Sequence, residues 1–535
     1  MSVISAGDFK KLYDQPGRDW ALLDIREKGE AADGHIFGAT NLPRRLIEYR
    51  IAELVPDRST RIFIYGDDNE RTSLALTTLR RLGYANATQI SGGVAAWAGE
   101  AGGALSTGSN VPSKDFGEKI HVQEHVPSLS VVEFAERKKR GDGMIVCDVR
   151  TPEEFLAGHI PGAVSCPSFD ITLNAFDLSE EYPTIIVNCA GRTRSIIGTS
   201  SLQKLGLANV YALENGTSGW LLEEWKLEKG AAPDFKAPTR ASLDKAEQAA
   251  AQLSKAAGVR HIDPSEFKAA MANAGQRNMY VFDVRPVADF RHGHIPGAST
   301  LPGGQAVQRA DDFFAVRDGM IVLIDQVEAR AMMTGYWLRK MGFPNVFVLK
   351  GGVEAWASTG NPLATGRQRG AVLGLAEAVA RAKKISAAEL AGRVSAGALL
   401  IDVGHSRQYA AGHLPGAVWR PRGWLELIIP RDVAKDREII VSAQEESQAI
   451  LAAATLQEMG YSRAAFVEGG NKACVAAGST LAAGEPADVF GGPDFVLPPY
   501  EQGREGMLRY LDWEIRLGRK YESPPAAGGR AHDAP

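Results

Sequence analysis

This chain predicts an α/β fold made of four consecutive domains, each a small, mainly parallel sheet flanked by helices. Two observations carry that prediction. First, one pattern recurs four times. Asp24-Ile-Arg leads to Gly34-His35-Ile-Phe-Gly-Ala39, and Asp148-Val-Arg to Gly158-His159-Ile-Pro-Gly-Ala163. Asp283-Val-Arg leads to Gly293-His294-Ile-Pro-Gly-Ala298, and Asp402-Val-Gly to Gly412-His413-Leu-Pro-Gly-Ala417. Each Asp precedes its His by 11 residues, and successive Asp positions lie 124, 135 and 119 apart. Such periods are too long for a solenoid unit and suit independent cores. Second, short apolar runs alternate with helical patterns inside each period, which is the signature of a parallel sheet covered by helices.

The elements follow in the same order in every copy. Ser5, Ser130, Asp263 and Ser386 each precede an acid by three residues (Asp8, Glu133, Glu266 and Glu389), the capping-box pattern that opens a helix. A strand then ends at the shared Asp. After the Gly-His turn comes another short apolar segment. The runs Ile62–Tyr65, Ile185–Asn188, Ile321–Ile324 and Ile439–Ser442 read as buried strands. Each is followed by a loop and by a helix ending near Gly83, Gly206, Gly342 or Gly460. A last strand reaches Gly-Gly-Val-Ala-Ala-Trp97, Asn-Gly-Thr-Ser-Gly-Trp220, Gly-Gly-Val-Glu-Ala-Trp356 or Gly-Gly-Asn-Lys-Ala-Cys474. The domains so defined are 1–105, 120–232, 258–365 and 382–485, with a C-terminal extension at 486–535.

Two rulers set one register. Seventeen residues before each helix-ending glycine, and 31 before Trp97, Trp220, Trp356 and Cys474, stand Gly66, Cys189, Asp325 and Ala443. Only the second copy has a thiol there. Cys147 and Cys166 fall on mostly apolar positions and Cys474 on a tryptophan position, so these three are read as core, where free cysteine behaves as a small hydrophobe. Four cysteines in 535 residues, without regular C-x-x-C pairs, argue against zinc sites and against a disulfide framework.

The Asp-Val-Arg and Gly-His-Ile-Pro-Gly-Ala signature, the Cys189 loop and the closing Gly-Gly-x-x-x-Trp resemble rhodanese domains. The likeness covers about residues 1–485 and rests on three separated motifs in fixed order. It implies a four-domain sulfurtransferase whose second domain is catalytic, with a persulfide on the loop cysteine and transfer of sulfane sulfur to a thiophilic acceptor. The first, third and fourth domains lack the nucleophile.

The residues are compatible with that chemistry. A thiolate is favoured at a helix N-terminus and beside arginine. The N–H groups of Ala190, Gly191, Arg192, Thr193, Arg194 and Ser195 are candidates for an anion cradle around Cys189. Arg192 and Arg194 are expected to attract an anionic donor, such as thiosulfate or a mercapto acid. The acceptor is expected to be a thiol or a cyanide-like nucleophile. The cycle calls for no metal and no organic cofactor. Arg194 also has counterparts in Arg71 and Arg330, where no thiol is present, which gives it a structural side.

Two other readings compete. A cysteine-dependent phosphatase or arsenate reductase uses Cys, five residues, then Arg; here Arg194 follows after four, and Ser195 takes the phosphatase position. Alternatively, three copies without the thiol, with acids such as Asp67, Asp68, Asp325 and Glu445 in their loops, suit a scaffold or a persulfide relay module. The recurring Asp and His, present where the thiol is not, are read as turn-stabilising.

A net charge of −4 and a pI near 6.3 give no reason to expect nucleic-acid binding. No apolar run is long enough to span a bilayer. The N-terminus lacks a signal-like core, so the location is read as cytoplasmic. Residues 101–119 read as a loose linker, 233–257 as a helix joining two halves, and 366–384 as Ala-rich and helical. The simplest arrangement is two tandem pairs. In the tail, Met507–Leu517 has helical periodicity, with Leu508, Leu511 and Ile515 expected to pack on another domain or on a second copy in a homo-oligomer. Residues 523–535 read as disordered.

Overall fold

The computed structural model describes residues 2–230, 235–368, 370–490 and 492–522. The tail segment 523–535, read as disordered, lies outside the described residues.

The four copies share one sheet. In the second, β1 (Ser128–Leu129), β2 (Met144–Asp148), β3 (Val164–Ser165), β4 (Thr184–Asn188) and β5 (Val210–Leu213) lie in the order β3-β2-β4-β5-β1, with every pairing parallel. The same five-strand order recurs in the other three. The expected caps form. Ser5 and Ser130 accept from the N–H groups of Asp8 and Glu133, and Asp263 and Ser386 make full capping boxes. β4 is buried on both faces, as its β-branched run requires. Its Ile185 and Val187 face one core layer with Cys147, Cys166 and Ile197. Ile186 faces the other, with Val146, Leu213 and Trp220.

The recurring Asp and His are structural, as their presence in all copies implied. Asp148 is fully buried and accepts from Arg150 Nε and Nη2 and from Asn188 Nδ2 at 2.7–3.0 Å. Arg150 then donates to the Gly158 carbonyl at 2.7 Å, which ties the strand end to the Gly-His turn. His159 stacks on Phe155 with centroids 3.9 Å apart, and its Nδ1 lies 3.1 Å from the Phe155 carbonyl. Its backbone pairs with Glu228 after the Trp220 helix. In the fourth copy Gly404 replaces the arginine, and Gln444 Nε2 donates to the carbonyl of Gln408 at 3.0 Å instead.

The copies pair in a nested way, not in tandem. Among the described residues, one unit falls within 1–109 and 369–496, the other within 110–368 and 497–522. In the first unit, Arg44 pairs with Glu426 and Arg422 with Glu48. These are equivalent positions, the arginines two and the glutamates six residues after the Leu42 and Arg420 register, so the two domains meet through the same face. Glu48 is 4% exposed and Arg422 7%, and the carboxyl is held below its ordinary range by Arg422 against the opposing pull of burial. In the second unit the equivalent positions Ser201 and Trp337 meet, with Trp337 Nε1 donating to Ser201 Oγ at 2.8 Å. Trp337 joins the core layer under β4. The expected linker helix forms at Arg240–Ala256, but it connects two domains of one unit.

The segment read as a loose linker is largely helix. Residues Val111–Gln123 form α1, whose Phe116 and Ile120 enter the core of the second domain. Its Gly, Ser and Lys composition masked an i, i+4 apolar pair. Gly117 is needed for close packing, because a Cβ there would stand 2.8 Å from Thr193 Cγ2. Among the described residues no helix is long and apolar enough to cross a membrane.

Removing one partner of a buried ion pair strands the other charge, which costs about 3–5 kcal/mol. Arg422→Met should therefore lower stability of the first unit by that order, and adding Glu48→Leu should restore most of it. Denaturant unfolding of the single and double variants checks this; equal losses in both would show that the charges contribute only packing.

Candidate functional site

Cys189 follows β4, the strand between β2 and β5, at the sheet's carboxyl edge, where ligands bind in open α/β sheets. The loop runs into α2 (Thr193–Lys204). Its shape is set from behind by α3 (Gly216–Leu222). Thr217 N–H donates to the Cys189 carbonyl at 2.8 Å, and Ser218 donates to the Ala190 carbonyl through its N–H at 3.0 Å and its hydroxyl at 2.8 Å. Gly216 must be glycine. Its φ is +50°, and a Cβ there would overlap the Cys189 carbonyl oxygen. Gly93, Gly352 and Gly470 press in the same way on the carbonyls of Gly66, Asp325 and Ala443. The frame is thus built in all four copies, and the side chain at the register position differs.

Of the predicted cradle residues, the structure brings the Ser195 side chain to the thiol. Cys189 Sγ donates to Ser195 Oγ at 3.5 Å, and Ser195 Oγ donates to the Arg192 carbonyl at 2.8 Å. Neither arginine, however, is free for an anion. Arg192 makes a bidentate pair with Glu118 of α1 at 2.7 and 2.9 Å, and its Nη2 also lies 3.2 Å from His121 Nδ1. Burial and Arg192 hold His121 down at about 4, so its imidazole accepts from the guanidinium. Arg194 makes a second bidentate pair with Glu154, at 2.7 and 2.9 Å. Arg194 holds that carboxyl down at about 2, against burial, which raises it. The arginines therefore brace the loop, each with its charge matched by a carboxylate.

The thiol also departs from the expectation of a depressed pKa. Cys189 is 2% exposed, and burial pushes its pKa above the ordinary thiol value. Arg194 and Ser195 pull the other way without overcoming burial. The cover is α4 (Gly503–Gly518), from the C-terminal extension. Glu514 Oε1 accepts from Thr193 Oγ1 at 2.7 Å, and Gly191 lies against Glu514 Oε2 and the Tyr510 ring. Leu511 is buried as expected, whereas Leu508 and Ile515 stay exposed. Sequence reasoning missed Glu118, Glu514, Thr217 and Ser218. Glu154 had a signal, the Thr151-Pro-Glu-Glu capping box. Glu514 lies 321 residues from its partner and had none.

The other copies carry no thiol at this position. Asp325 fills the third loop and is fully buried, paired to Arg330 at 2.8 Å; Arg330 also reaches Asp170 at 2.7 Å. In the first copy Gly66 leaves no side chain, and Arg71 pairs with Glu30 at 2.8 Å. Ala443 and Gln448 occupy the fourth. Cys147, Cys166 and Cys474 are fully buried core residues. Among the described residues no group of three or more His, Cys, Asp or Glu is placed to hold a metal.

Comparison with known proteins agrees with this layout. Residues 5–100, 130–223, 263–359 and 386–477 match the family described as Rhodanese-like domain. The uncharacterized protein YqhL of Bacillus subtilis is 30% identical over 100 residues, which is 19% of this chain and 75% of that protein. A sulfurtransferase of Allochromatium vinosum is 38% identical over 80 residues, 15% of this chain and 73% of that protein. Across nearly the whole length, the crystal structure of a thiosulfate sulfurtransferase from Pseudomonas aeruginosa is similar. It has 34% identity and a TM-score of 0.88, covering 97% of this chain and 98% of that one.

A raised thiol pKa fixes the sign of the pH dependence. The thiolate fraction grows as pH rises, so alkylation of Cys189 by neutral iodoacetamide should still be accelerating at the ordinary thiol pKa. Arg194→Gln should push the thiol higher, slowing alkylation at pH 8 by about tenfold for each pKa unit. A rate already level at neutral pH would contradict the burial argument.

Proposed function

We propose, from the premise that this chain belongs to the rhodanese-like domain family, that it is a sulfurtransferase working through a persulfide on Cys189. One observation carries the reading. Of four loops built on the same frame, one alone presents a thiol, at the carboxyl edge of the sheet and at the start of α2. The similarity to a thiosulfate sulfurtransferase over 97% of the chain supports it.

The reaction has two displacements. The Cys189 thiolate attacks the outer sulfur of a donor of the thiosulfate or mercapto-acid type. The donor's bond to that sulfur breaks, and the leaving group, sulfite in the case of thiosulfate, departs with the electron pair. The terminal sulfur of the resulting persulfide is an anion. It lies at the start of α2, where backbone N–H groups and the helix dipole favour negative charge. A thiolate or cyanide then attacks that terminal sulfur, and the Cys189 thiolate is released. Ser195 positions the sulfur through its hydroxyl, and the two arginine–glutamate pairs keep the loop in shape. A single sulfur needs less room than a phosphate, which fits the four-residue spacing between Cys189 and Arg194 better than a phosphatase loop.

Cys189→Ser should abolish sulfur transfer from thiosulfate to cyanide and leave the melting temperature close to that of the parent. Mass spectrometry of the parent after donor treatment should show one added sulfur on the Cys189 peptide. Near-parental transfer by the folded serine variant would exclude Cys189 as the carrier and return the chain to a scaffold role.

A further inference from the structure

The loop that bears the thiol is the one that is covered. In the first copy Asp67, Asp68, Asn69 and Glu70, the residues after Gly66, are exposed. Gln326 of the third loop and Glu445 of the fourth are exposed too. In the second copy every residue from Cys189 to Thr193 is buried. The cover is α4, whose Met507 and Leu511 are buried. A Cβ on Gly191 would stand 3.3 Å from Tyr510 Cε1 and 3.9 Å from Leu511 Cδ2, so both side chains lie directly on the loop. The helix is fixed along its length. Arg504 Nη1 donates to the Leu222 carbonyl at 2.5 Å, Glu514 accepts from the Thr193 hydroxyl at 2.7 Å, and Gly518 packs on Glu118 and Val122 of α1. Beyond it, Lys520 and Tyr521 reach Asp115 of α1 at 2.6 and 2.8 Å. Tyr510 itself is half-buried, with its ring 5.7 Å from that of Trp513 and the Lys114 ammonium over both. A ring at the edge of a packed helix turns without the helix moving.

We propose that Tyr510 and Leu511 set a size limit at the Cys189 site, so that its sulfur donor and its acceptor are both low-molecular-weight compounds. A small ion such as thiosulfate, or a small thiol, passes when the Tyr510 ring turns aside. A cysteine on a folded protein does not, because that protein has to lay a stretch of its own surface over the loop, and α4 already occupies the place. The filter reads bulk and not charge, so anionic donors are admitted. The inference rests on Cys189 being the reacting thiol, and it deepens that reading by naming the size class of its substrates.

The test uses the full chain and two uncharged reagents with the same reactive group, N-methylmaleimide and a maleimide on a long polyethylene glycol chain. Loss of the free Cys189 peptide is read by mass spectrometry. The large-to-small rate ratio cancels the thiol pKa, and it is compared with the ratio for the same chain unfolded in guanidinium. In the folded parent the ratio should lie about tenfold or more below the unfolded one, since the large reagent has to wait for a local opening of the helix. Tyr510→Ala combined with Leu511→Ala should bring the ratio back toward the unfolded value. Tyr510→Phe keeps the ring and should leave the ratio at the parental value. Equal ratios in the folded and unfolded parent would mean that the whole helix lifts and sorts nothing by size, and a low ratio that the double alanine variant does not change would place the barrier elsewhere; either overturns the proposal. A second measurement needs no variant. Parent protein loaded with labelled sulfane sulfur should pass it to 2-mercaptoethanol about tenfold faster than to a ubiquitin bearing one surface cysteine, for the same reason, once each acceptor's rate with a small persulfide is divided out. Comparable rates would overturn the proposal even if the alanine variant did not fold. Because alkylation needs no sulfur donor, failure here is separable from failure of the sulfurtransferase reading, which thiosulfate–cyanide turnover reports.

Discussion

The site depends on a contact between two backbones. Gly216 lies so close to the Cys189 carbonyl that no side chain fits between them, and Thr217 and Ser218 next to it hold the carbonyls of Cys189 and Ala190. That contact bends the chain at the end of β4 and sends it into α2 with the thiol turned inward. All else at the site is arranged on that bend. The two arginine–glutamate pairs brace it from the sides, and the Ser195 hydroxyl accepts from the Cys189 thiol. The glycine contact recurs in the other three copies, so the bend is common to all four and the side chain it carries is not. Asp325 makes this clearest, because it turns the equivalent of Arg194 into its own counterion.

Buried charges in this chain are matched locally, and the matching explains why a loop with two arginines does not behave as an open anion trap. A guanidinium held by a carboxylate through two hydrogen bonds has little left for a ligand, and its Coulomb attraction at a distance is largely cancelled. The arginines still act on the thiol. Arg194 lowers the Cys189 pKa, although burial outweighs it. Reactivity is therefore governed as much by what covers the thiol as by what surrounds it in sequence.

Local signals were legible in the sequence and distant ones were not. The caps at Ser5, Ser130, Asp263 and Ser386, the buried strands and the register position of Cys189 follow from spacing, because helices and strands write their periods into adjacent residues. The membership of Val111–Gln123 in the second domain was hidden, since its helix is stabilised by packing on α2 and not by its own composition. The same holds for Glu514, which meets Thr193 only once a segment near the C-terminus is laid on a loop in the middle of the chain. The nested pairing was unreadable for a related reason. Arg44 and Glu48 look like ordinary surface charges until equivalent residues from the fourth copy meet them.

That nesting has a consequence for synthesis. Arg44 and its partner Glu426 are 382 residues apart, so the face of the first domain is made long before its complement. At translation speeds of about 5–20 residues per second, the first domain waits roughly 20–80 seconds with that face in water. Its charged groups suit the wait, because an exposed arginine or glutamate is soluble where an apolar interface would invite aggregation. The second and third domains, joined by the Arg240–Ala256 helix, are contiguous in the chain and are complete sooner. The order in which the ribosome delivers the copies thus favours an ionic seam for the outer pair and permits a tryptophan-centred, oily one for the inner pair.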